Sequence, residues 1–375
     1  MRTVTTLNYT SNMIRTGMKY TKEDSIMTKG VAILAMVCLH LFYREGPTVL
    51  GKPVLWFSED VPMVSWIGFF SEYCVTLYSI CAGYGYYYMY KLGNGSLRNR
   101  IKRVIKLLLT YWTILILFCF IGLIWNPHGT VPGSIKQFLQ NAVLYKSYCG
   151  SWWYLHTYVF LMFLPSSIVV VLAEHSDIRK GLLICLCAQI GWYMVTKFRI
   201  IPFVQGSGIV NYVYTECKNL ISIIPAVWAG TLLCRDNTIS DLDSLLCKRF
   251  SIKIRNAAIV ISWIMWFLLF NLLHKSVLVG LLGLWVFVTF NLLRKPKVIE
   301  KALLFLGKHS TNIWLTHMFF YTRLFDGLVA KAQLPLLMLL FMLGLCILSS
   351  ITINMIVNRI VFINIIVLKK CKPNP

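Results

Sequence analysis

The sequence predicts an all-α, polytopic membrane protein with about ten transmembrane helices and both termini in the cytoplasm. Three observations carry this. Hydrophobic residues make up 57% of the 375-residue chain and charged residues only 14%, whereas an ordinary soluble domain carries about 25% charged residues. The apolar residues come in long runs, not in periodic stripes, which excludes disorder, coiled coil, collagen and a water-soluble enzyme domain. The net charge is +23, and the basic residues flank the apolar runs. Orientation in a bilayer explains that pattern without nucleic acid as a partner.

Ten spans are expected, at approximately 30–43, 64–90, 104–125, 154–173, 181–195, 220–234, 257–273, 276–293, 311–329 and 334–368. The first, fifth and sixth are short for a bilayer that wants about 20 apolar residues. The last is long enough to tilt. Asn94-Gly95-Ser96 reads as a turn and helix cap before the third span. Lys295-Pro296-Lys297 marks a connector before the ninth. No internal repeat and no soluble domain is visible. The organisation is an N-terminal cytoplasmic segment over 1–28, one membrane domain over 29–368 and a cytoplasmic tail over 369–375. Residues 1–28 are polar and basic and hold no short apolar core, so the first apolar run reads as a retained span, not a signal peptide. With the N-terminus inside, 27 of the 37 lysines and arginines fall in cytoplasmic loops. A multi-pass cell-membrane protein surrounded by lipid is expected. Most of the 12 cysteines lie inside apolar runs as small hydrophobes, and no zinc spacing appears, so no metal is expected.

Against this background a few polar residues stand out. His40 sits in an otherwise apolar run, where a titratable side chain is costly and marks a functional site. Lys29 precedes it by eleven residues, so the two share one helix face about 16 Å apart. The lysine marks the cytoplasmic boundary and the histidine lies toward the outer half. Neutral imidazole is suited to take a proton from a hydroxyl near neutral pH. Glu72 enters the second span from outside and reaches a similar depth. A His40–Glu72 pair would orient the imidazole and stabilise its protonated form; alternatively Glu72 solvates a wet vestibule. Arg100 and Arg103 open the third span on one face, and two guanidiniums at a helix start match phosphate oxygens. They serve equally as an orientation anchor. His317, about two turns into a ninth span capped near Ser310, is a supporting candidate. So are Trp153 and His156 at the outer end of the fourth span, where the aromatics also read as an interfacial belt.

These residues together resemble acyltransferase family 3, integral-membrane proteins that O-acylate bacterial surface sugars. Lys29 through His40 is similar to that family's basic residue, ten-residue gap and histidine in the first helix. Arg100-Ile101-Lys102-Arg103 resembles its two-arginine motif, and Trp152-Trp153-Tyr154-Leu155 its Trp-aromatic-Leu segment. Leu306-Gly307-Lys308-His309-Ser310 through Trp314-Leu315-Thr316-His317 resembles its late Gly-Lys-x-Ser…Leu-x-His segment. Lys29 replaces the commoner arginine, Asn312 stands where tyrosine is frequent, and no proline follows Arg103. The resemblance implies that His40 is the base or an acyl-relay residue and that Arg100 and Arg103 bind acyl-coenzyme A. The expected function is transfer of an acyl group, acetyl above others, from acyl-coenzyme A to a hydroxyl of a surface sugar or lipid-linked glycan. The rival is a transporter or flippase for a lipid-linked sugar, in which His40 and Glu72 would line a substrate path. A transporter usually shows two related halves, and a proton relay gives no reason for two arginines at one helix start.

Overall fold

A computed structural model describes residues 20–43, 64–127, 129–164, 166–200, 208–273, 276–325 and 327–370. It is helical throughout, with no strand among the described residues. Fourteen α-helices are described: α1 (Lys22–Phe42), α2 (Val64–Phe70), α3 (Cys74–Lys91), α4 (Leu97–Trp125), α5 (Ile135–Ala142), α6 (Trp153–Phe163), α7 (Ser166–Glu174), α8 (Ile178–Lys197), α9 (Ile209–Arg235), α10 (Thr238–Arg249), α11 (Ile252–Leu273), α12 (Val279–Leu292), α13 (Lys297–Met318) and α14 (Pro335–Lys370). Six are long and apolar enough to cross a membrane: α1, α4, α8, α9, α11 and the first 26 residues of α14.

Of the four other expected spans, the eighth is the single shorter apolar helix α12, and two are broken. The second divides into α2 and α3 at a 3-10 turn, Ser71–Tyr73. The fourth divides into α6 and α7, where Leu164 is extended ahead of Pro165, as the residue before a proline prefers. The ninth corrects an expectation. Its helix begins at Lys297, directly after Pro296, and Ser310 is not a cap but a mid-helix residue donating to the Gly307 carbonyl at 2.9 Å. The stretch of α13 before Ser310 carries Lys297, Lys301 and Lys308, so it is helical without forming an apolar run. The cap before α4 is as expected: Ser96 Oγ accepts from Asn99 N at 3.4 Å. At the start of α1, Thr21 and Asp24 form a capping box.

Two glycine-lined helix crossings hold the centre together. A Cβ on Gly83 of α3 would stand 1.8 Å from the Val227 carbonyl of α9, and one on Gly230 of α9 would stand 2.1 Å from the Ile80 carbonyl of α3. Helices touch backbone to backbone only where no side chain intervenes, the usual solution in lipid. Thr231 fastens the same crossing by donating to the Gly83 carbonyl at 3.3 Å. In the second crossing, between α1 and α13, Gly30 would meet the Leu303 carbonyl at 2.3 Å and Gly307 the Ile26 carbonyl at 1.9 Å.

Gly83→Ala should therefore cost more than the roughly 1–3 kcal/mol of ordinary overpacking, because the obstacle is backbone. Gly85, two residues on, has open space around its Cβ position, so Gly85→Ala should be neutral or stabilising by up to about 1 kcal/mol. Thermal unfolding of both variants in detergent separates them. Equal midpoints would show that α3 and α9 are not in backbone contact.

Away from this centre, Asp243 of α10 is fully buried and pairs with Arg255 Nη1 at 2.8 Å and Arg294 Nη2 at 2.9 Å. This joins α10 to the start of α11 and the end of α12 and keeps one acid between two cations inside the protein.

Candidate active site

The α1–α13 crossing sets the site. The two helices run parallel, and the glycine contacts of Gly30 and Gly307 lie symmetrically about an offset of 277 residues. His317 stands at that same offset from His40, one continuous register further along, and the two rings meet. His40 Nδ1 is 3.1 Å from His317 Nε2, with ring centroids 4.8 Å apart.

The bonding pattern assigns the tautomers. His317 is fully buried. Its Nδ1 lies 2.8 Å from the Trp314 carbonyl and 3.2 Å from the Ile313 carbonyl. Carbonyls only accept, so this nitrogen carries the hydrogen and Nε2 of the neutral ring must accept. His40 Nδ1 is then the donor, shared with the Met36 carbonyl at 3.0 Å. In a neutral His40 the basic lone pair is left on Nε2, the form a general base requires. His317 thus orients the His40 ring, and Glu72 lines the same cavity as His40.

Aromatic side chains hold the helix on either side of His317. Immediately after it, α13 widens into a π-helical turn, Phe319–Arg323, an irregularity frequent at functional sites. Phe319 stacks on Phe118 of α4 at 4.3 Å. Trp152 Nε1 donates to the Leu315 carbonyl at 3.1 Å, while Trp314 Nε1 donates to the Ser151 carbonyl at 2.9 Å. These reciprocal bonds clamp the entry of α6 against α13.

A cavity lies on each side of the histidine couple. At the far end, a cavity of about 310 Å³ is lined by His40, Glu72, Tyr43, Tyr321, Leu39 and Met318. The expectation that Glu72 reaches the depth of His40 from the next helix agrees with this. At the end where α1 and α4 begin, a cavity of about 190 Å³ holds Lys29 and Arg103 beside Tyr78, Tyr154, Ser310 and Trp314. Trp314 is one helical turn before His317, so α13 lines both cavities. The first is acidic and the second basic.

Arg100 is elsewhere. It is 6% exposed and its Nη1 donates to Tyr86 Oη and the Met162 carbonyl, each at 2.9 Å, and to the Leu164 carbonyl. Residues three apart on a helix differ by about 60° in direction. Here that is enough to send Arg103 into the cavity and Arg100 to the end of α6. The structure thus does not bring the two arginines, expected to share a ligand, into one cavity. His156 also turns away from both cavities: its Nδ1 lies 3.4 Å from Glu216 Oε1 in a buried couple between α6 and α9. Trp153 is half-buried on the surface of α6, and its neighbour Trp152 is the interior residue. Asn312 donates to Ser350 Oγ at 2.8 Å and Asn354 Oδ1 at 2.9 Å, binding α13 to α14.

A helical membrane bundle with a tautomer-ordered histidine couple between a basic and an acidic cavity has the make-up of an integral-membrane group-transfer enzyme. The chain belongs to acyltransferase family 3: the model of that family, described as an acyltransferase domain, matches residues 26–355. Membership makes the protein an acyltransferase and sets the transporter reading aside. No curated protein and no solved structure matches it.

Proposed function

We propose that the protein moves an acyl group, acetyl above others, from cytoplasmic acyl-coenzyme A to a hydroxyl of a sugar or lipid-linked glycan destined for the cell surface. The observation that supports this most is the His40–His317 couple, with His40 lining the acidic cavity and Trp314, one helical turn before His317, lining the basic one. Lys29 and Arg103 suit the phosphates of the donor, so the basic end faces the cytoplasm, as the distribution of lysine and arginine favours. The protein then sits as a multi-pass protein of the plasma or inner membrane, with about ten passes and both termini inside. The far cavity receives the acceptor, where Glu72 and the tyrosine hydroxyls can hold sugar hydroxyls.

In the reaction, His40 takes the proton of the acceptor hydroxyl and its oxygen attacks the thioester carbonyl. Collapse of the tetrahedral intermediate breaks the C–S bond, and the leaving thiolate takes the proton. An ester and free coenzyme A result. His317 holds His40 in the tautomer that can accept.

The test is incubation of membranes containing the protein with radiolabelled acetyl- or succinyl-coenzyme A. Label should enter lipid-linked or polymeric carbohydrate from acetyl-coenzyme A and should vanish with His40→Ala. No transfer from either donor, or label independent of His40, overturns the proposal.

A further inference from the structure

We infer that Tyr78 is a catalytic residue that donates its phenolic hydrogen to the thioester carbonyl of the donor. This rests on the donor reading above. Tyr78 lies on α3, six residues and so roughly 9 Å past Glu72 toward the basic end. It lines the basic cavity with Lys29 and Arg103. Its hydroxyl is buried and has no partner at normal hydrogen-bond geometry, Ser310 being the polar side chain that comes near it. The neighbouring phenol is already engaged: Ser79 Oγ donates to Tyr154 Oη at 3.3 Å, and the Tyr78 and Tyr154 rings lie 6.3 Å apart. Ser310, on the opposite wall, donates its own hydrogen to the Gly307 carbonyl at 2.9 Å, so towards Tyr78 its oxygen can only accept, and a ligand carbonyl of better geometry would compete for the phenolic hydrogen.

A buried hydroxyl without a partner costs free energy that folding does not recover. A ligand that brings an acceptor to it removes the cost. The cavity's cations stand at its start, near Lys29. Its inner wall is Trp314, whose ring lies 5.8 Å from that of Tyr154 and which sits one turn before His317. A donor anchored by its phosphates at the cations therefore sends its thioester toward Tyr78 and the histidines. When the acceptor oxygen bonds to the carbonyl carbon, the carbonyl π electrons move onto its oxygen, and the Tyr78 O–H hydrogen bond strengthens as that charge grows. When the C–S bond breaks, the electrons return and the thiolate leaves, protonated by way of His40. Tyr78 keeps its proton throughout.

The test compares wild type with Tyr78→Phe in full-length protein purified in detergent. The probes are coenzyme A itself and an acetyl-coenzyme A analogue whose thioester sulfur is replaced by methylene, which keeps the carbonyl. Affinity for the carbonyl analogue should fall about 3- to 10-fold, the worth of one hydrogen bond. Affinity for coenzyme A, which lacks that carbonyl, should not change. Acetyl transfer should slow mainly through kcat, and the thermal midpoint should not drop, because the variant deletes an unpaired polar group. Equal loss for both probes would place the hydroxyl on the pantetheine arm and overturn the assignment. No loss for either, or a lowered midpoint, would make Tyr78 a packing residue. Failure of wild type to bind either probe would instead overturn the donor reading beneath it.

Discussion

His40→Ala and His40→Asn should both lose acyl transfer by at least about 100-fold, the low end of what a positioned general base contributes. They should differ in stability. Alanine leaves buried His317 Nε2 without the donor it now has at 3.1 Å, at a cost of about 1–3 kcal/mol unless water from the adjoining cavity replaces it. Asparagine offers an amide hydrogen in a similar place and should hold the wild-type midpoint. Neither variant puts a charge into the bilayer, so the amount of inserted protein should stay near wild type for both. Acylation in membranes, normalised to the protein recovered, reads the first effect and thermal unfolding reads the second. Full activity in either variant would remove His40 from the chemistry. Loss of activity that tracks the loss of folded protein would make it a structural residue.

Much of this site was legible along one helix at a time. Lys29 and His40 lie one face and about 16 Å apart on α1 by arithmetic alone, and the structure assigns them to different cavities at opposite ends of that face. The Ser96 cap and the depth of Glu72 follow from similarly local rules. What escaped was long-range. His317 was visible as a polar residue in an apolar run, but its bond to His40 depends on the register between α1 and α13. That register is set by Gly30 and Gly307, two glycines with no local signature. Tyr78 sits in a helix crowded with tyrosines, and only the shape of a cavity distinguishes it from the others. Trp152 and Trp153 are equivalent in the sequence, and the choice between core and surface is made by the bond to the Leu315 carbonyl. The span boundaries failed for a related reason. Apolar runs record the lipid-facing faces of long helices well, as in α4 and α14, but the stretch of α13 that carries three lysines is helical without being apolar.

Arg100 and Arg103 should give opposite phenotypes although they belong to one motif. Arg103 is half-buried in the basic cavity. Arg103→Ala should weaken binding of acyl-coenzyme A about 10- to 100-fold, the worth of one charge-assisted hydrogen bond, with the thermal midpoint unchanged. Arg103→Lys should restore part of that affinity, because an ammonium keeps the charge but not the fork that grips phosphate. Arg100 acts on the fold. The carbonyls it bonds, Met162 and Leu164, are those left without partners where α6 ends at Phe163. A cation there also meets the negative end of the helix dipole. Arg100→Ala should lower stability by on the order of 3 kcal/mol, and Arg100→Lys should rescue little, since a single ammonium cannot serve Tyr86 and two carbonyls in the same geometry. Because α6 also carries Tyr154 into the donor cavity, Arg100→Ala protein that still folds should bind donor weakly, but only in proportion to its loss of order. The decisive comparison is donor affinity against thermal midpoint for those of the four alanine and lysine variants that survive purification. If Arg100→Ala keeps its midpoint and loses donor binding as Arg103→Ala does, both arginines meet the phosphates and the end of α6 is held by something else.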